Sequence, residues 1–511
     1  MKFSYPIMAG FVLSTATCSL WADSIPSMMR GDTQDTNNGW KVAPLFSVGE
    51  KIGDYRPPGV LDGLGAIKID KNTVRVLANH ELKTKKGKAY KLDSGAVLTG
   101  SRISFFDLDR NSLKVKKAGL AYDNIYDRNG MLVKKSEQVN EGKKGLNRLC
   151  SARSVEKGQY QFEDNIFFSG EESNNGTEWV LDIDNRELWA FPAMGRGAWE
   201  NVTPIKSGHK DTVALLAGDD REAAPLYLYI GKKNGVGDKS FLDRNGLKQG
   251  SLYCWKTYNG DVNPNSFNGL DQQRIGYFTP LIVQDSSLAR YPGYDSNGYL
   301  NASNLRSQAR EKGCFTFSRP EDLHENPKNP NQIVFASTGR GQLFPKDNWG
   351  TVYTADIDLT DLSKPKAKIK IIHDADNLPQ PDMGIRNPDN LTWGYDGYIY
   401  VQEDRSVNPK KLFGSIKGIE ASVWRLNPKS GSYVRIGEID RSAVYPKNAT
   451  DPKKLDIGNW ESSGILDVTP LFDAKKGETL LIGTVQAHSV KDGSIKKEKL
   501  VQAAQLFLMR K

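Results

Sequence analysis

Three stretches of the chain carry an acid at the same place in a repeated plan. In SRPEDLHENPKNPNQIVFAST, residues 318–338, Arg319, Glu321 and Asp322 stand ahead of a turn and a strand-like run at 332–336. RNPDNLTWGYDGYIYVQED repeats the plan with Arg386, Pro388 and Asp389, a turn at Asp396-Gly397 and a run at 398–402. A looser copy, ESSGILDVTPLFDAKKGETLLIGTVQ, opens on Glu461. Glu321 and Asp389 are 68 residues apart, Asp389 and Glu461 72. Further acids stand at comparable strand or turn ends: Glu81 in LANHEL, Glu171 and Glu172 in FSGEES, Glu200 in GRGAWENV, and Asp219 and Asp220 in LAGDD. Any one of them alone reads equally as a solvated turn acid. Carboxylates converging on a confined space repel, and the relief is protonation or a multivalent cation. Hard oxygen ligands in that number suit Ca2+, Mn2+ or Fe3+.

Arg319 and Arg386 precede Glu321 and Asp389 by two and three residues. Beside a cation cluster, an arginine offers a bidentate fork to a phosphate or sulfate ester while metals take its other oxygens. The same spacing serves an arginine that merely pairs with its neighbouring acid. The five histidines are dispersed without a short His-x-His spacing, which speaks against a binuclear zinc hydrolase. Gly195-Arg196-Gly197 is not followed by the Gly-Lys-Ser/Thr of a phosphate loop, and Asp107-Asp109 and Asp182-Asp184 lack the rest of an EF-hand loop.

The first 22 residues read as a secretory leader, with Lys2, an apolar run at 7–15 and small or polar residues up to Ala22. No Arg-Arg pair accompanies it, which points to general export, and no later segment approaches the ~18 apolar residues of a membrane span. Removing 22 of 511 residues leaves 489, and the net charge falls from +9 to +8 with the loss of Lys2. The lysines are scattered rather than blocked and lack interleaved aromatics, so they read as a solvated face rather than a nucleic-acid stripe. With Cys18 in the leader, Cys150, Cys254 and Cys314 remain, an odd number that leaves at least one thiol spare. Cys254 and Cys314 flank the expected surface excursion and could pair. Cys150 then has three readings: a small buried residue, a metal ligand, or a partner in an intermolecular bond.

These acids need a scaffold that brings distant segments to one axis. Short β-branched and aromatic runs such as RISFFDLD, DNIFFSGEE, LYLYIGK, NQIVFAST, TVYTADID and SVWRLNP follow one another, punctuated by Gly, Asn, Asp and Pro. Helical periodicity is confined to 301–312. Units of this length with several short strands each predict an all-β fold, an irregular β-propeller occupying residues 23–511 as one domain. Segments 124–149, 232–272 and 282–313 read as long loop insertions over one face. In a propeller the innermost strand of each blade lines the channel, so acids repeated at its mouth converge from different blades.

In order, NHEL, a lone Cys ahead of a Glu-Glu strand, GR followed by Glu200, GDD, RPED, NPDNL with a QED strand end, and Glu461 with Gln486 and His488 resemble the PhoX-type alkaline phosphatases over about residues 40–490. The resemblance implies an exported phosphoric ester hydrolase, periplasmic or secreted, that acts on small phosphate monoesters, with diesters as a further substrate; a monomer is expected. It implies an Fe3+ and Ca2+ cluster at the channel mouth. Carried over motif by motif, Cys150 ligates iron, and Glu81, Glu171, Glu172, Glu200, Asp219, Glu321, Asp389 and Glu461 are metal-ligand candidates. Arg319 and Glu321 are the catalytic candidates, and Arg319 with Arg386 those for binding the substrate. The alternative class is a non-catalytic, calcium-stabilised propeller serving as a binding module.

Overall fold

The structure is a computed structural model describing residues 25–31, 39–140, 144–234 and 239–511; the expected leader, 1–22, lies outside the described residues. Six mainly antiparallel blades surround a channel, and their inner strands run Leu61–Lys68, Leu149–Val155, Trp199–Ile205, Pro320–Asn326, Pro388–Trp393 and Glu461–Asp467. Each inner strand packs on the next in chain order and the sixth packs on the first, so the ring closes. The fold is a β-propeller of six blades, numbered here in that order.

Closure comes from the N-terminal region. Lys41–Ser47 pairs with Ala503–Arg510 as the outer strand of blade 6, and Met29–Gly31 adds to Tyr433–Ile439 at the edge of blade 5. Blades 3 and 4 are welded at their rims: Gln273–Leu281 pairs with Gly250–Thr257 of one and Lys366–Asp374 of the other, which makes a nine-stranded sheet. This covers sheet edges that would otherwise invite association.

The inner strands are buried along nearly their whole length, and Trp199–Ile205 and Glu461–Asp467 are buried throughout. Between blades the core is aromatic and aliphatic; Phe315, Phe317, Phe335 and Tyr353 pack together with ring centroids 4.7–5.3 Å apart. Each such side chain stabilises the fold by about 1.5–3 kcal/mol relative to exposure.

The insertions differ from the expectation in two respects. Residues 124–149 open on a strand, Asn124–Tyr126, paired parallel with Glu187–Ala190 of blade 2. Residues 232–272 are not one long loop, because Gly250–Thr257 is a strand paired on both sides. Its Gly- and Asn-rich flanks dilute the alternation that marks it. The expected helix is present as Ala302–Glu311, capped by Asn301, whose side chain accepts from Asn304 N–H. Cys254 and Cys314, both buried, form a disulfide with Cα atoms 5.9 Å apart that ties this helix segment to blade 3. Among the described residues no helix is long and apolar enough to cross a membrane.

Candidate metal centre

The inner strands share a local irregularity. In blades 1 to 5 the pairing register with the second strand slips between the first and fourth inner residues, Leu61/Leu64, Leu149/Ala152, Trp199/Val202, Pro320/Leu323 and Pro388/Leu391. Blade 6 slips at Ser463/Ile465. A bulge sets two residues against one and re-aims their side chains. The residues so displaced are Asp62-Gly63, Cys150-Ser151, Glu200-Asn201, Glu321-Asp322 and Asp389-Asn390. The first of each pair joins one cluster of ligand atoms. The second laces the blades together where it has a side chain: Ser151 Oγ donates to Asp322 Oδ1 (2.9 Å), Asn201 Nδ2 to Ser151 Oγ (3.3 Å), Leu391 N to Asp322 Oδ2 (2.9 Å), and Ser463 Oγ to Asn390 Oδ1 (3.1 Å).

Three overlapping groups result, each with ligand atoms within 4.8 Å of one another: Asp62, Glu81 and Cys150; Cys150, Glu172 and Glu200; and Glu200, Glu321 and Asp389. All the acids are buried. Asp62 Oδ1 and Glu200 Oε2 are buried oxygens with no hydrogen-bond partner, and an unmet buried acceptor costs about 1–3 kcal/mol, more when charged. Burial, then the nearby Glu81 charge, pushes the Asp62 carboxyl up to about 7. Burial followed by Glu321 raises Glu200, and burial followed by Glu461 raises Asp389. The Glu321 carboxyl is raised by burial despite the adjacent Arg319, and Glu461 is raised by burial and then by Asp404. The Cys150 thiol is likewise pushed up, by burial and then by Asp62 and Glu200. A bound cation removes the repulsion and satisfies the orphaned oxygens at once, so the donor set fits metal ions: many carboxylates for a hard cation, and one sulfur.

Arg319 borders this ring. Its Nε and Nη2 fork onto Asp220 (2.6 and 2.8 Å), Nη2 also meets Glu321 (3.0 Å), and Nη1 donates to Ser406 Oγ (2.7 Å). Five N–H groups meet four acceptors, which leaves one donor on Nη1. Burial alone raises the Asp220 carboxyl, but Arg319 outweighs it and holds Asp220 below the usual carboxylate range. Arg319 opens into a cavity of about 610 Å3 that Glu172, Arg221, Arg340, Asp404 and Arg405 also line.

The structure separates the paired acids. Glu172 joins the ring, whereas Glu171 turns away to accept from Asn140 Nδ2 (2.7 and 2.9 Å), Asn147 N (2.8 Å) and Thr177 N (3.1 Å). Asp220 faces the ring, whereas Asp219 binds Arg306 (2.9 Å) and Ala198 N (2.9 Å). Glu81 and Glu461 lie at the margin, Glu81 against Arg148 (2.6 Å) and Glu461 against His488 Nε2 (3.0 Å). Arg386 needs correcting as a substrate-binding candidate. It is fully buried, forked onto Glu403 (3.1 and 2.7 Å), paired with Asp382 (3.2 Å) and stacked 3.8 Å from the Phe413 ring, so no anion reaches it. Here the spacing marked an arginine paired with acids. Cys150 is the free cysteine among the described residues.

Sequence reasoning missed Asp62, Arg148, Arg221 and Asp404. Asp62 had a signal, since LDGLGAIKI places an acid second in an inner strand as WENVTPI and PEDLHEN do.

With the geometry in place, comparison adds a family. Residues 135–444 match the family described as Alkaline phosphatase PhoX. No curated protein matches the chain. Among solved structures, Pseudomonas fluorescens PhoX in complex with vanadate, a transition state analogue, is similar with a TM-score of 0.61 at 13% identity, covering 95% of this chain and 96% of that one. At that identity the likeness shows the shared fold. The WD40 domain of SCAP from fission yeast gives 0.29 at 10% identity, covering 95% and 98%, and Saccharomyces cerevisiae Sqt1 gives 0.28 at 8%, covering 88% and 99%. Neither of these two carries weight at such scores.

Proposed function

The chain belongs to the alkaline phosphatase PhoX family, and we propose that it is an exported, metal-dependent phosphatase hydrolysing small phosphate esters, chiefly monoesters, at the mouth of its channel. One observation carries this reading: a buried ring of carboxylates and one thiol, with orphaned oxygens, lies beside an arginine that lines an open cavity. Cys150, Asp62, Glu81, Glu172, Glu200, Glu321, Asp389 and Glu461 are the proposed ligands, with the thiolate taking Fe3+ and the carboxylates sharing Ca2+. Bound there, the cations supply Lewis acidity and offset charge on the phosphoryl group.

The protein's own part is positioning. Asp220 and Glu321 hold the Arg319 guanidinium in one orientation, and the remaining Nη1 donor steadies a phosphoryl oxygen as its charge grows. Six basic side chains against four acids line the cavity, a net positive balance that favours an anionic substrate even though Arg221, Arg340 and Arg405 each pair with an acid. Burial of the ring beneath the arginine tier keeps water from competing for these charges.

Elemental analysis of the purified chain, coupled to hydrolysis of a chromogenic phosphate ester, tests the reading. Iron together with calcium and turnover that falls on chelation is the expected result; calcium alone without turnover would point instead to a calcium-stabilised binding module. Arg319→Ala is expected to keep its metal while turnover drops about 100- to 1,000-fold and inhibition by phosphate weakens. Glu321→Gln is expected to lose metal.

A further inference from the structure

Arg148 lies two residues before Cys150 with φ +52°, a left-handed conformation that costs a non-glycine residue about 1–3 kcal/mol. Its backbone is held from two sides. The N–H donates to Leu82 O (2.9 Å), next to Glu81, and the carbonyl accepts from Glu172 N (2.8 Å). The side chain is held as well, since Nε donates to Glu172 O (3.0 Å). These bonds place the guanidinium between two carboxylates, with Nη2 2.6 Å from Glu81 Oε1 and also in contact with Glu172 Oε2. Glu81 and Glu172 belong to the two ligand groups that share Cys150, one group each. A guanidinium does not deprotonate in a protein, so this positive charge is permanent.

We propose that the Arg148 guanidinium is a resident cation of the centre, standing in for one divalent ion between Glu81 and Glu172, so that the chain loads one metal ion fewer than its carboxylates would otherwise hold. The inference rests on the metal-centre reading above. It also explains why an arginine is kept in a strained backbone conformation beside an iron-ligand candidate. A fixed charge balances two carboxylates before any metal arrives, which lowers the repulsion that the folding chain must overcome.

The test is calcium stoichiometry. Equilibrium dialysis of the full chain against Ca2+, read by elemental analysis, is compared for the wild type, Arg148→Met and Arg148→Gly. Methionine keeps an aliphatic stem and glycine relieves the left-handed backbone, so a folding failure in one leaves the other to decide. Both are expected to bind one more Ca2+ per chain than the wild type, while Arg148→Lys, which keeps a cation, binds the wild-type number. Equal counts, a lower count in the variants, or an extra ion in Arg148→Lys overturns the inference. Zero calcium in every chain overturns the metal-centre reading with it, whereas equal non-zero counts overturn this inference alone.

Discussion

At the scale of single residues, Cys150 gives the sharpest test, because the Cys254–Cys314 disulfide leaves it no intramolecular partner among the described residues. Replacing sulfur by oxygen changes ligand softness with little change in volume. Cys150→Ser is expected to fold, keep most of its calcium, and lose iron, colour and phosphatase activity, as followed by elemental analysis and absorbance. A variant with normal iron and activity per molecule, destabilised by only about 1–2 kcal/mol through a buried hydroxyl, would reduce Cys150 to packing. Among the acids of the ring, Glu200, Glu321 and Asp389 were legible because they recur at comparable strand or turn ends, whereas Asp62, at the same place in its strand, was missed. The paired acids were legible only in part. Alternation along a strand says that one of Glu171 and Glu172, or of Asp219 and Asp220, faces inward, but Asn140 and Arg306, contributed by distant insertions, decide which. Arg386 shows the opposite limit, since the acids that bury it, Asp382 and Glu403, stand in a loop and on a neighbouring strand that its spacing from Asp389 does not reveal.

At the scale of elements, the bulges set the site, and the glycines beside them set how close the blades come. Gly63 follows Asp62 at the blade 1 bulge, and a Cβ there would sit 2.5 Å from Cys150 O and closer still to Ser151 C and Ala152 N of blade 2. These are backbone atoms of a paired strand and cannot swing aside. Gly63→Ala is therefore expected to cost about 1–3 kcal/mol or more and to part Asp62 from Cys150. Its iron content should fall even in preparations that remain folded at 25 °C, as checked by denaturant melts beside elemental analysis; unchanged iron and stability would show that the two blades need not approach so closely. Most strands could be read from period-two runs bounded by turn residues, and the helix Ala302–Glu311 from its isolated periodicity. Gly250–Thr257 was not, because it is flanked by Gly and Asn and stabilised by partners on both sides rather than by its own composition. The slip in register behind Asp62, Cys150, Glu200, Glu321 and Asp389 leaves no mark on hydrophobic periodicity, so the sequence places the acids only at strand or turn ends.

At the scale of the whole molecule, six blades converge their acids on one axis, so the stability of the ring and the charge state of the centre are linked. Blade count was beyond the sequence, since it depends on Lys41–Ser47 closing the last blade and on two blades sharing a rim strand. In the metal-free protein burial pushes Asp62 and Asp322 up to about 7, against an ordinary aspartate value near 3.9 in the unfolded chain. Between about pH 4 and 7 the folded state thus holds protons that the unfolded state has released. Since stability falls with rising pH wherever the folded state binds more protons, the metal-free protein is expected to melt several degrees higher at pH 5 than at pH 8, with the part due to Asp62 and Asp322 gone above about pH 7. Cations change the sign of the environment around Asp62, where ionisation becomes favourable, but leave Asp322 in its bonds to Ser151, Leu323 N and Leu391 N. The metal-loaded protein should therefore melt higher throughout and show a flatter dependence between pH 5 and 8. Melting curves across that range, in chelator and in calcium with iron, check both statements. Parallel curves would mean that the ring binds no ion strongly enough to displace its protons, and coincident curves after confirmed metal loss would remove the cluster from the stability of the fold altogether.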